Sequence, residues 1–111
     1  MAISELMRKL TSPELVDEAL SSELAIVLKH STACPISRNA HREVALFLSQ
    51  HPEIPVYIVD ILQNRDISQY IEKRTGVAHQ SPQALVVKGG KVTWHDSHYR
   101  IEAASLDTEL A

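Results

Sequence analysis

Cys34 is the only cysteine of the chain and stands in the run His30-Ser31-Thr32-Ala33-Cys34-Pro35-Ile36-Ser37-Arg38. Pro35 suits the first position of a helix, where a missing N–H leaves no bond unmade and the fixed φ is already helical. Cys34 is therefore expected at or beside an N-cap. There its sulfur faces free backbone N–H groups and the positive end of the helix dipole, both of which favour thiolate over thiol. The dipole accounts for only part of a large shift, so the Ser37 N–H and hydroxyl and the Arg38 cation are the groups expected to supply the rest. An arginine in the first helical turn opposes the dipole, and an anion beside it, thiolate or carboxylated ligand, would relieve the conflict. The chemistry this points to is attack of a thiolate on a disulfide sulfur. The competing reading is an inert, buried cysteine that merely packs; Pro35 and the helix start count against it.

Spacing argues against other cysteine chemistries. A low-molecular-weight phosphatase or the related arsenate reductase needs an arginine six positions after its cysteine, and Ala40 stands there. A peroxiredoxin would carry Pro-x-x-x-Thr/Ser-x-x-Cys; Ser31 fits the hydroxyl position, but Val27 occupies that of the proline. Iron–sulfur glutaredoxins commonly show Cys-Gly-Phe-Ser, against Cys-Pro-Ile-Ser here, so cluster binding has no support from the motif. The histidines include one closely spaced pair, His95 and His98, short of the three or four convergent ligands of a zinc site, and no metal is expected.

The elements that must position Cys34 can be read on either side of it. Ser12-Pro13-Glu14 opens a helix in N-cap, N1 and N2 order, with Leu15, Val16, Ala19 and Leu20 as its apolar stripe and an end by Ser22. Leu24 to Leu28 lacks alternation, as in a strand covered on both faces. After Pro35 the residues Ile36, Ala40, Val44, Phe47 and Leu48 keep helical spacing until Gln50-His51-Pro52. Val56 to Val59 is a second buried strand. A turn around Gln63-Asn64 leads to a helix bearing Ile67, Tyr70 and Ile71, which Gly76 can end. Gln83 to Lys88 and Lys91 to His95, separated by Gly89-Gly90, predict an antiparallel hairpin. A short helix is expected around Tyr99 to Ser105. Tyr57 and Trp94 read as packing residues on strands, and His79 as a surface-loop histidine.

The expected fold class is thus α/β: a central mixed four-stranded sheet flanked by helices, with an N-terminal helix and parallel strands in the first crossover. The order α-β-α-β-α-β-β-α is that of a thioredoxin-like domain. A length of 111 residues suits one domain, 1–111, with a core that needs no staples. Met1 to Lys9 carries Glu5, Arg8 and Lys9 instead of an apolar leader, and a single cysteine fits a reducing compartment, so a cytoplasmic location is expected. No purely apolar run exceeds five residues, far short of a membrane span. A net charge of −3 with signs interspersed provides no footprint for nucleic acid.

The runs Lys29 to Ser37, Gln63-Asn64-Arg65, Gly76 to Gln83 and Trp94 to His98 together resemble the monothiol bacilliredoxin family, and the likeness covers most of the chain. The resemblance implies a thioredoxin-like fold and a thiol–disulfide oxidoreductase in which Cys34 is the attacking sulfur. It would take bacillithiol, or a similar low-molecular-weight thiol, from mixed disulfides on client proteins. Ser37 stands where many relatives of the fold have a second cysteine, so a small thiol or a dithiol reductant from outside would have to clear the Cys34 adduct. In thioredoxin-like domains the proline matching Pro82 is cis and lies against the cysteine, while the preceding residue, here Ser81, can pair through its backbone with an extended segment. Pro35, Ser37, Arg38, Ser81 and Pro82 are the residues expected to stabilise the thiolate or touch substrate. No tightly bound cofactor is implied; the small thiol is a cosubstrate. The alternative is a noncatalytic thioredoxin-like binding module, or a redox sensor whose cysteine is S-thiolated under oxidative stress.

Overall fold

Short polar and proline signals start the elements in the computed structural model, which describes residues 6–110. In chain order these are β1 (Met7–Lys9), α1 (Pro13–Leu20), β2 (Leu24–His30), α2 (Pro35–Gln50), β3 (Val56–Asp60), α3 (Arg65–Thr75), β4 (Gln83–Lys88), β5 (Lys91–Ser97) and α4 (Ala103–Leu110). The Ser12 side chain accepts the Leu15 N–H at 3.3 Å and caps α1 ahead of Pro13. Gly76, in the left-handed region at φ 72°, stops α3. Gly89 and Gly90 adopt φ of 56° and 76° and turn β4 into β5.

The strands form one mixed sheet in the order β1-β3-β2-β4-β5. β1, β3 and β2 run parallel, and β4 and β5 antiparallel to their neighbours. Alternate residues of β2 feed two cores. Ile26 and Leu28 pack with Ala40, Val44 and Phe47 of α2 and Leu106 of α4; Ala25 and Val27 pack with Val16 of α1 and Ile67 and Ile71 of α3. Double burial explains the unbroken apolar run of β2. It also fixes α2 against the sheet, and with it the position of Cys34 at the helix start.

Three expectations change. The sheet has five strands, not four, and a strand precedes the N-terminal helix. β1 escapes pattern recognition because it is three residues long, Met-Arg-Lys, and buries only Met7; its pairing with Val56 to Ile58 of β3 makes it a strand. The last helix is shifted toward the C-terminus and overlaps residues 99–105 only at 103–105. A 3₁₀ turn at His98–Arg100 follows a positive φ of 57° at His98, and α4 begins only at Ala103, where Ala103, Leu106 and Leu110 supply a buried stripe. β2 and β5 each run two residues further than expected, to His30 and Ser97. No helix among the described residues is long and apolar enough to cross a membrane.

Candidate active site

Cys34 is the N-cap of α2, with extended backbone (φ −111°, ψ 124°) and Pro35 in the first helical turn. Its N–H donates to the Ser31 carbonyl at 3.3 Å, and its own carbonyl accepts the Arg38 N–H at 3.1 Å. The residue is partly exposed and not in a disulfide. Its pKa is lowered, first by the Ser37 N–H and then by the Ile36 N–H, with smaller help from the Ser37 hydroxyl and the Arg38 charge and some opposition from desolvation. The free N–H groups of the helix start thus favour charge on the sulfur, although no cap hydrogen bond to the Cys34 side chain is formed.

Ser37 is fully buried, and apart from its weak influence on the Cys34 sulfur its hydroxyl has no hydrogen-bond partner among the described residues. That donor is left over for a thiolate or an adduct at Cys34. Arg38 and Pro35 are exposed.

The sheet brings Pro82 to the same end as Cys34. Parallel pairing sets His30 opposite Asp60, the Ile61 N–H donates to the His30 carbonyl at 3.0 Å, and antiparallel pairing sets Gln83 opposite Lys29. The loops 31–34, 61–64 and 76–82 therefore meet where β2 and β3 end and β4 begins. The Ser81–Pro82 bond is cis, Pro82 is buried, and its carbonyl accepts the His98 N–H at 3.1 Å. Ser81 is partly exposed.

A polar network below the 76–82 loop was not visible in the sequence. Lys29 continues the alternation of Ala25 and Val27 and is fully buried, its Nζ 3.2 Å from His79 Nδ1. The Ser68 hydroxyl lies 3.1 Å from the same nitrogen, and the His79 N–H donates to Glu72 at 2.6 Å. Burial lowers the Lys29 pKa to about 8, against the opposing pull of Glu72. Gln83 also ties this loop down, donating to the Ala78 carbonyl at 3.0 Å. The available signal was strand register: a β2 extended to His30 points Lys29 inward.

His30 at the end of β2 is also buried, and its ring lies 5.1 Å from that of His41 on α2. Burial lowers its pKa, and the Ser37 backbone and Asp60 partly oppose this. His95 is exposed on β5, and His98 Nδ1 lies 3.1 Å from the Ser97 hydroxyl. Among the described residues no three histidine, cysteine or acidic side chains are grouped to hold a metal.

Comparison with known proteins agrees with this geometry. The family model described as monothiol bacilliredoxin BrxC matches residues 8–106. A solved protein with a thioredoxin fold, described as a candidate oxidoreductase, superposes with a TM-score of 0.90 at 34% identity, covering 97% of this chain and 96% of that one. Mitochondrial thioredoxin 3 from Saccharomyces cerevisiae, in its oxidised form, gives a TM-score of 0.76 at 14% identity over 99% of this chain and 97% of that one. The oxidised thioredoxin from Plasmodium falciparum gives 0.74 at 17% identity over 95% and 99%. The last two likenesses speak to the fold alone.

Proposed function

The chain belongs to the monothiol bacilliredoxin family, and from that membership and the setting of Cys34 we propose that it removes bacillithiol, or a similar low-molecular-weight thiol, from protein mixed disulfides. Family and fold support a thiol redox function. The observation that carries the finer reading is the pairing of a donor-rich N-cap cysteine with a serine three residues on.

In this reading the Cys34 thiolate attacks the small-thiol sulfur of a client disulfide. A bond forms between Sγ and that sulfur, the bond to the client sulfur breaks, and the client cysteine leaves as a thiolate that takes a proton from water. Cys34 is thereby oxidised to a mixed disulfide as the client cysteine is reduced. The backbone N–H groups of Ile36 and Ser37 hold charge on Sγ before attack, and the leftover Ser37 hydroxyl can donate to the adduct. Ser37 has no sulfur with which to expel the adduct. A second small thiol, or a dithiol reductant, completes the cycle. The clients are S-thiolated proteins, and the small thiol serves as cosubstrate with no tightly bound cofactor. Such a relay works in a reducing compartment, and on that ground we place it in the cytoplasm.

The test follows a client protein carrying bacillithiol by intact mass. Appearance of the adduct on Cys34, at a rate above that of exchange with free thiol, supports the proposal. A clearance rate unchanged by Cys34→Ser overturns it in favour of a noncatalytic binding module.

A further inference from the structure

Arg38 and Arg42 follow Cys34 at intervals of four along α2, so the three residues share one face of the helix. Beside that face runs a groove of about 550 Å³ lined by His30, Thr32, Arg38, His41, Arg42 and Ala45. No carboxylate is among the six, although the chain as a whole has a net charge of −3. Both arginines are exposed, and neither forms an ion pair among the described residues. His30 is only 8% exposed, yet its Nδ1 has no hydrogen-bond partner among the described residues. The groove thus presents two cations without ion pairs, and Arg38 on its wall stands one helical turn from the reactive sulfur.

The neighbouring cavity against α3 contrasts with it. That cavity, of about 480 Å³, contains Arg65 but also Glu72, and the buried Lys29 behind it is already matched by His79. An anion entering there meets a carboxylate on the cavity wall; the α2 groove has none on its wall, although Asp60 acts on His30 from the adjoining pocket that shares His30 and Thr32.

We propose that the α2 groove holds the carboxylate-bearing part of the small thiol while its sulfur is bonded to Cys34, with Arg42 as the principal cation. This rests on the reading of Cys34 as a thiol acceptor. The groove's volume lies within the roughly 300–1,000 Å³ usual for small-molecule sites. Its wall on α2 runs from residue 38 to residue 45, about 10 Å at 1.5 Å per residue, which suits a small molecule better than an extended acidic segment of a protein. Arg38 sits within one turn of the sulfur and also acts on the thiolate, so Arg42 isolates recognition from reactivity.

The test uses small symmetric disulfides. Attack of the Cys34 thiolate on such a disulfide forms one Sγ–S bond, breaks the original S–S bond and releases one small thiolate. Labelling rates are measured by intact mass with the disulfide of mercaptosuccinate, which is anionic, and with hydroxyethyl disulfide, which is neutral. Arg42→Gln is expected to lower the anionic-to-neutral rate ratio about two- to fivefold, the range of an exposed ion pair, and Arg42→Glu further. Lys73→Gln, an exposed change on α3, is expected to leave the ratio alone. An unchanged ratio in both Arg42 variants overturns the proposal, as does an equal fall with Lys73→Gln. The neutral disulfide reports intact folding and thiol reactivity in every variant. Failure of the client-clearance assay, with the Arg42 dependence present, removes the proposed function and leaves the anion groove; the opposite pattern removes the groove alone.

Discussion

Lys29 Nζ lies 3.2 Å from His79 Nδ1, joining the buried interior of β2 to the loop that leads into Pro82. An ammonium only donates, so Nδ1 accepts and the neutral ring carries its proton on Nε2. Burial, and then the Lys29 charge, lower the His79 pKa. His79 is therefore expected to titrate below the ordinary histidine range, and Lys29→Met is expected to raise that value. A histidine NMR titration showing no upward movement in Lys29→Met would contradict this pairing.

The same lysine predicts how stability varies with pH. Its folded-state pKa, about 8, lies below the ordinary 10.5, so between those values the unfolded chain binds the extra proton. Stability contributed through Lys29 is complete above 10.5 and is lost as pH falls through about 8. The melting temperature of the wild type relative to Lys29→Met should rise from pH 7.5 to 9.5. A constant difference across that range would show that Lys29 is not the titrating group. His79→Ala, which leaves the buried ammonium without this partner, should destabilise by about 1–3 kcal/mol at pH 7.

The Cys34 thiolate, followed by ultraviolet absorbance against pH, should form below the pKa of about 8.5 of a free cysteine. Ser37→Ala should move the midpoint only part of the way back, because the backbone N–H groups of Ser37 and Ile36 act whatever side chain residue 37 carries, and the Ser37 N–H is the largest influence. Full reversion to the free value would mean that the hydroxyl, not the helix start, sets the thiolate.

Ser37→Cys should supply the missing internal nucleophile. After transfer of a small thiol to Cys34, the variant is expected to expel it without added reductant, and intact mass should show the loss of two hydrogens in place of an adduct. A persistent adduct would indicate that residue 37 cannot reach the sulfur.

Gly76 offers a check on the loop geometry. A Cβ added there meets nothing within 4 Å, but φ is +72°. Gly76→Ala should therefore cost about 1 kcal/mol through the backbone alone, measured by denaturant unfolding, with thiol transfer unchanged.

Much of this was written locally in the chain. Pro13, Pro35, Gly76 and Gly89-Gly90 mark boundaries because each acts on its own backbone, and α2 and β4 lie where their residues predicted. Cys34 was legible for the same reason: its donors come from the next three residues. β1 was not, because three residues have no period and the strand exists through β3, some fifty residues on. Lys29 was not, because a lysine ending an apolar run reads as a solvated strand end, and its partner is 50 residues away. The helix after His98 was displaced because a positive φ at that residue interrupts the chain where only composition could be read.

The serine at residue 37 also sets the capacity of the molecule. With one sulfur nucleophile and none to discharge it, each chain under the proposed reading holds one adduct and then waits. The fraction of chains occupied then measures the balance between thiolated clients arriving and reductant available. The protein that clears the modification becomes, by its own loading, a gauge of how far clearance has fallen behind.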